Sequence, residues 1–272
     1  MKGVMQTLVS DTANAPLNMG RPALETLGLT KRFGALLVSD ALNFRLEHGA
    51  RHALIGPNGA GKTTFVNLVT GKLAPSEGRV LLDGQDITRL TQAQRARMGL
   101  GRTFQINTLF LGLCVLENVA LAISERECLS WRMLSPSGRH RIVLEEAHAI
   151  LVDLGLGPVA HCRVAQLAYG EQRLVEVAMA LALKPKVMLL DEPAAGVPEG
   201  QSGSILQALE RLPRNISILI IEHDMDIVFR FAQRITVLGQ GRVVAEGTPK
   251  EIADNQEVQA IYFGSHGRPA HV

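Results

Sequence analysis

The chain has 272 residues, 46% of them apolar, enough to bury one substantial core or two modest ones. With 28 basic against 26 acidic residues the net charge is +2, which argues against a chain-wide polybasic nucleic-acid binder, because neutralising phosphate takes clustered Lys and Arg. Aromatic residues make up 4%, too few for a base-stacking platform. No uncharged apolar run reaches the roughly 18 residues that a membrane helix requires.

Residues 1–22 carry mixed polar residues and no apolar signal-peptide centre, so they are expected to form a flexible tail. From Ala23 to Leu90 the pattern is one of short strands and turns. Val80-Leu81-Leu82 runs into Asp83-Gly84, a tight-turn signal, which predicts an antiparallel layer there. Arg51 through Ile55 reads as a buried strand feeding the Gly-rich run that begins at Gly56. From about 91 to 165 the spacing is helical. Ser135-Pro136-Ser137-Gly138 predicts a loop, and Ile142–Leu154 a helix with Val143, Ala147, Ile150, Leu151 and Leu154 on one face, ended by Gly155.

Strand and helix then alternate again. A helix is expected over Glu171–Leu183, before Pro185. Val187–Leu190 and Ile218–Ile221 are continuous apolar runs, which suit strands covered on both faces. The coarse architecture is an α/β core with a helical insert, followed by a tail over 265–272. Cys114, Cys128 and Cys162 form no CxxC pair, so reduced thiols are expected rather than a zinc site or a disulfide framework.

Gly56-Pro57-Asn58-Gly59-Ala60-Gly61-Lys62-Thr63-Thr64 contains GxxxxGK[ST] in full. A polyphosphate can be ringed by backbone N–H groups where no Cβ blocks the approach, and a helix N-terminus favours the anion. Lys62 is placed to reach the β- and γ-phosphates, and the Thr63 hydroxyl to ligate Mg²⁺. Asp191, at the end of an apolar run, can complete the metal shell through water. Glu192 beside it can polarise an attacking water as general base; without the phosphate loop, Asp-Glu-Pro would read equally well as a solvated strand exit. His223, after the second run, suits either a contact to γ-phosphate and water or a structural role. Gln105 suits a contact to Mg²⁺ or water, or a loop cap, and Phe33 an adenine stack or the core. The basic cluster Arg89, Arg95, Arg97 and Arg102 reads as a solvated face or a surface for partner loops or anionic headgroups. Met179 and Met188 read as core.

Taken in order, the phosphate loop, Gln105, Leu167-Ala168-Tyr169-Gly170-Glu171-Gln172, Asp191-Glu192 and His223 resemble the ATP-binding subunit of ABC transporters, from about Ala23 to Gly264. Within that superfamily the chain resembles most the ATPase subunits of branched-chain amino acid importers. Gly101–Gln105, Leu116-Glu117-Asn118, Leu167–Arg173, Glu192–Gly196 and Glu222–Met225 carry the closer match. The resemblance implies a P-loop NTPase core with an antiparallel β subdomain and an α-helical subdomain over about 91–165, all within one domain of residues 23–264. It implies ATP and Mg²⁺ as cofactors, with Gln105 as a further Mg²⁺ contact, and a head-to-tail dimer with an identical or paralogous ATPase subunit. Each ATP would lie between one phosphate loop and the partner's 167–172 signature segment. Phe33 would stack on adenine, Gln105 would sense the γ-phosphate, and His223 would act as a switch. Two transmembrane permease subunits would dock on the helical middle, and a periplasmic or extracellular solute-binding protein would be an indirect partner. The chain would lie on the cytoplasmic face of a bacterial inner membrane.

Two departures stand out. Ala168 occupies a position where the superfamily usually has Ser, and Pro198 one where it usually has Asp or Asn. A lipid or lipopolysaccharide exporter ATPase and a soluble ABC-type ATPase share the core motifs. The single P-loop and the absence of sustained heptads weigh against the soluble type.

Overall fold

In the computed structural model the chain is described over residues 20–103, 109–128, 137–197 and 202–263. Most of the expected N-terminal tail and all of the C-terminal one fall outside these ranges.

Strands β1 (Leu24–Phe33) and β2 (Leu36–Leu46) form an antiparallel hairpin; β3 (Arg51–Ile55) then leads to helix α1 (Lys62–Thr70). The hairpin β4 (Glu77–Leu82) and β5 (Gln85–Asp86) turns at Asp83-Gly84 as expected, and joins β1 and β2 in a four-stranded sheet of order β2-β1-β4-β5. Next come α2 (Gln92–Arg97), β6 (Leu100–Arg102), and three helices: α3 (Val115–Arg126), α4 (Ser137–Asp153) and α5 (Tyr169–Ala182). The chain re-enters the core through β7 (Val187–Asp191), α6 (Ser202–Glu210), β8 (Ser217–Ile221), α7 (Met225–Phe231), β9 (Arg234–Gly239) and β10 (Arg242–Gly247), and closes with α8 (Pro249–Ala253) and α9 (Gln256–Phe263).

The second sheet has the order β10-β9-β3-β8-β7-β6, with β9, β3, β8, β7 and β6 parallel and β10 antiparallel at the edge. Its central strands are apolar on both faces because each face meets a separate core. Leu54, Leu189, Leu219 and Ile221 point into a core shared with α1 and the antiparallel sheet. Ala53, Ile55, Met188, Leu190, Ile218 and Ile220 point into the other, against the helices. The two-residue side-chain period of a strand thus divides each continuous apolar run between two cores.

Helix α4 begins at Ser137, so the expected loop residues Ser137 and Gly138 belong to its first turn. Val143, Ala147, Leu151 and Leu154 are buried, as the spacing predicts. Gly155 (φ +77°) stops the helix, and the Leu156 N–H reaches back to the Leu151 carbonyl at 2.7 Å. Arg126, at the end of α3, clamps the helical layer by donating to Glu146 of α4 at 2.8 and 2.9 Å and to the Ala182 carbonyl of α5. Cys114 caps α3, accepting from the Glu117 N–H at 3.4 Å, and all three cysteines are free thiols.

His52 lies inside β3 and is fully buried, with Nε2 2.8 Å from the Thr236 hydroxyl and its ring against Phe44. Burial lowers its pKa to about 4. The unfolded chain takes up this proton as pH falls through about 6.5, whereas the folded chain does so only near 4; stability is therefore lost on acidification across that window. We expect the loss between pH 7 and pH 4.5 to include about 2 kcal/mol from this residue. In urea unfolding at both pH values His52→Gln should flatten the acid limb, and an unchanged limb would contradict the assignment.

Candidate functional site

The site is built at the carboxyl ends of neighbouring parallel strands. β3 ends in Gly56, and the loop to α1 wraps so tightly that a Cβ on Gly56 would collide with the Leu238 carbonyl. Gly61, the N-cap of α1, has φ +100° and lies against the Val38 carbonyl and Gly241, a close approach that excludes a side chain. Lys62 donates to the carbonyls of Gly56 at 2.6 Å and Pro57 at 3.1 Å, folding its ammonium over the loop. The Gly241 N–H, from the β9–β10 turn, supports the loop at the Ala60 carbonyl at 3.0 Å. The N–H groups of the first turn of α1 have no partner within the helix, so the loop and helix start form a cradle of donors. Pro57 is half-buried, Asn58 and Gly59 are exposed, Thr63 is exposed and Thr64 half-buried. Burial lowers the Lys62 pKa, against the opposing pull of the Glu192 and Asp191 carboxylates.

Next in the sheet are β8 and β7. Asp191 ends β7, with Oδ2 2.6 Å from Arg102 Nη2; Arg102 also donates to Asn67 of α1 at 3.1 Å. The guanidinium therefore fixes the carboxylate relative to the phosphate-loop helix. Glu192 follows in the left-handed region (φ +48°), unusual for a non-glycine residue and doubly so before a proline. Its N–H is held by the Ile221 carbonyl at 2.9 Å. His223 comes two residues after the end of β8, its side chain 66% exposed, and Asp224 caps α7 through the N–H groups of Asp226 and Ile227. Phe33 ends β1 at the hairpin tip, 49% exposed, with Lys31 Nζ 5.2 Å from its ring centroid, so it is not a core residue.

The 167–172 segment forms the start of α5, two residues earlier than the sequence pattern indicates, with Ala168 as N-cap. The Glu171 carboxylate accepts from the Ala168 N–H at 3.0 Å, but Ala168 has no oxygen to return the bond. Leu167 and Gly170 are buried, Gln172 braces the turn by donating to the Val164 and Leu167 carbonyls, and Tyr169 lies against Gly196. Gln105 and Pro198 lie outside the described residues. The basic cluster is not one solvated face. Arg89 and Arg97 are exposed, whereas Arg95 is fully buried, donating to the carbonyls of Leu68, Val69, Thr88 and Leu90, and Arg102 belongs to the site. Met188 is core and Met179 packs against it.

The donor set fits a nucleotide with Mg²⁺. Among the described residues no group of three or more His, Cys, Asp or Glu could cage a metal ion. One hydroxyl (Thr63) and one carboxylate (Asp191), with phosphate oxygens and water supplying the rest, is the way proteins usually hold this ion.

The ABC transporter family profile matches residues 39–195, and a profile described as branched-chain amino acid ATP-binding cassette transporter matches residues 242–268. The chain is 38% identical over 255 residues to the high-affinity branched-chain amino acid transport ATP-binding protein BraF of Pseudomonas aeruginosa, covering 90% of this chain and 99% of BraF. It is similar to the ADP conformation of MJ1267, an ATP-binding cassette of an ABC transporter (TM-score 0.76, 32% identity, 89% of this chain and 99% of that one). It is also similar to the dimeric structure of MJ0796, a bacterial ABC transporter cassette (TM-score 0.69, 25% identity, 83% and 98%). This chain belongs to the ABC transporter family, as one of its ATP-binding and ATP-hydrolysing subunits. Its fold is accordingly the P-loop NTPase core with an antiparallel β subdomain and an inserted helical one.

Losing the Lys62 ammonium removes charge-assisted hydrogen bonds worth about 1.5–3 kcal/mol each. We therefore expect Lys62→Ala to weaken ATP binding about 10- to 100-fold in a fluorescent-nucleotide titration. Unchanged affinity would contradict the phosphate-loop assignment.

Proposed function

We propose that this chain energises the import of branched-chain or related amino acids, as a peripheral subunit on the cytoplasmic face of a bacterial inner membrane. The observation that carries the ATPase site is the adjacency of β3, β8 and β7, which sets Lys62, His223 and Asp191-Glu192 at neighbouring strand ends. The name of BraF and the profile match at the C-terminus support the substrate class. Among the described residues no helix is long and apolar enough to cross a membrane, in keeping with a division of labour in which two permease subunits supply the span. The exposed apolar residues Leu121 of α3 and Leu144 of α4 support the helical layer as the surface that receives them.

Lys62 and the loop N–H groups bind the phosphates, and Thr63 and Asp191 hold Mg²⁺, with Gln105 as a further contact. When bound, Mg²⁺ neutralises charge on the phosphate oxygens. Glu192 takes a proton from the attacking water, and His223 orients that water and the terminal phosphate. Phe33, exposed at the hairpin tip, stacks on adenine. A second ATPase subunit, identical or paralogous, presents its Ala168–Gln172 turn to the same nucleotide. Because Ala168 brings no hydroxyl, the N–H groups at the start of α5 make that contact. The dimeric MJ0796 cassette is a precedent for such pairing. A solute-binding protein outside the membrane completes the importer.

The activity test is Glu192→Gln, which keeps the shape but removes the base. It should retain ATP binding and lower kcat about 100-fold or more. Wild-type phosphate release by the variant would remove Glu192 from that role. The partner test is affinity purification from native membranes: two permease chains support the importer reading, and ribosomal proteins in their place would contradict it.

A further inference from the structure

Glu222 has no part in the site described so far, yet its surroundings are unusual. It lies between the last residue of β8 and His223 and is 1% exposed. Its Oε1 accepts from the Ala194 N–H at 3.1 Å, on the segment just after Glu192, and its Oε2 accepts from the His223 N–H at 3.2 Å. His223 Nδ1 lies 3.8 Å from the same Oε2. Burial raises the Glu222 pKa, opposed by the N–H groups of Ala194, His223 and Asp224. Burying a carboxylate costs far more than burying an amide or an apolar side chain, so filling space does not account for it.

The local backbone supplies a reason. Glu192 sits at φ +48° before Pro193, a conformation the chain leaves unless it is held at both ends. One tie is the bond from the Glu192 N–H to the Ile221 carbonyl at 2.9 Å. The second, two residues on, is the bond from the Ala194 N–H to Glu222. Both ties end on consecutive residues, Ile221 and Glu222, and the next residue is His223.

We propose that Glu222 is a positioning residue for ATP hydrolysis: its buried carboxylate locks the strained turn carrying Glu192 and the backbone of His223 into one hydrogen-bonded joint. The inference rests on the reading that Glu192 and His223 serve the reaction. Without the carboxylate, Glu192 relaxes toward the extended conformation favoured before proline and its side chain is re-aimed. The phosphate cradle, built from other residues, is left intact.

The test measures steady-state ATPase activity and ATP affinity of the full-length chain carrying Glu222→Ala or Glu222→Gln. Alanine removes both acceptors and is expected to lower kcat about tenfold or more, because catalysis is steep in geometry. ATP affinity should stay within about twofold of wild type, since the phosphate-loop hydrogen bonds are untouched. Glutamine keeps an acceptor for Ala194 but sets a donor against the His223 N–H, so its kcat should lie between those of alanine and wild type. Wild-type kcat in either variant overturns the inference, and so does a parallel loss of ATP affinity and kcat. Should the alanine variant fail to fold, the glutamine variant decides alone. Glu192→Gln is measured alongside: if it hydrolyses ATP normally, the underlying reading has failed, whereas if it is inactive and the Glu222 variants are wild-type, only the role of Glu222 has failed.

Discussion

The parallel register of β3 with β8, and of β8 with β7, is the constraint on which the rest of the molecule depends. Parallel pairing sends these strands in the same direction, so β3, β8, β7 and β6 all end on one edge of the sheet. Residues far apart in sequence, from Gly56 to His223, meet there because their strands are hydrogen-bonded neighbours. A slip of one residue in β8 would turn Ile218 and Ile220 into the wrong core and carry Glu222 and His223 off the site with them. The apolar runs that look merely hydrophobic therefore set which residues stand together at this edge.

Around that edge, charged groups work mainly on backbone carbonyls and N–H groups. Arg95 gathers four carbonyls near the far end of α1, and its Nη1 stands 2.8 and 2.6 Å from the Leu68 and Val69 oxygens. A cation at that helix's carboxyl end complements the dipole whose positive end faces the phosphate loop. Arg102 performs the corresponding task for Asp191, and Glu222 for Ala194 and His223. The groups proposed to meet the nucleotide stay accessible: Thr63 and His223 are exposed, and Lys62 and Glu192 half-buried. Charges that are buried or half-buried thus hold the backbone and carboxylates around more accessible groups.

Much of this was legible in the sequence wherever one local rule governs. The phosphate loop, the Asp83-Gly84 turn, the stop at Gly155 and the two continuous apolar strands follow from residue type and spacing alone. Three residues are too few for a periodicity, so β6 is invisible within a stretch that otherwise reads as helical. Its place is set by pairing with β7, a contact made across more than 80 residues. The same limit applies to Arg95, which reads as a surface charge until the fold buries it, to Arg102, which the fold ties to Asp191 and Asn67, and to Glu222, whose burial no local rule announces. Helix α5 starts early because the Glu171 side chain turns back to the Ala168 N–H and recruits Tyr169 and Gly170 into the first turn. For Phe33 the sequence left two roles open, and its exposure removes one.

The central claim is that adjacent strand ends assemble one nucleotide site. A crystal structure of the chain with Mg²⁺ and a non-hydrolysable ATP analogue tests it most directly. The account predicts the terminal phosphate in hydrogen-bonding reach of Lys62 Nζ, with the metal on Thr63 Oγ1 and the phosphate facing Glu192 and His223. A nucleotide bound away from the Gly56–Thr64 loop, or a metal shell without Thr63, would contradict it.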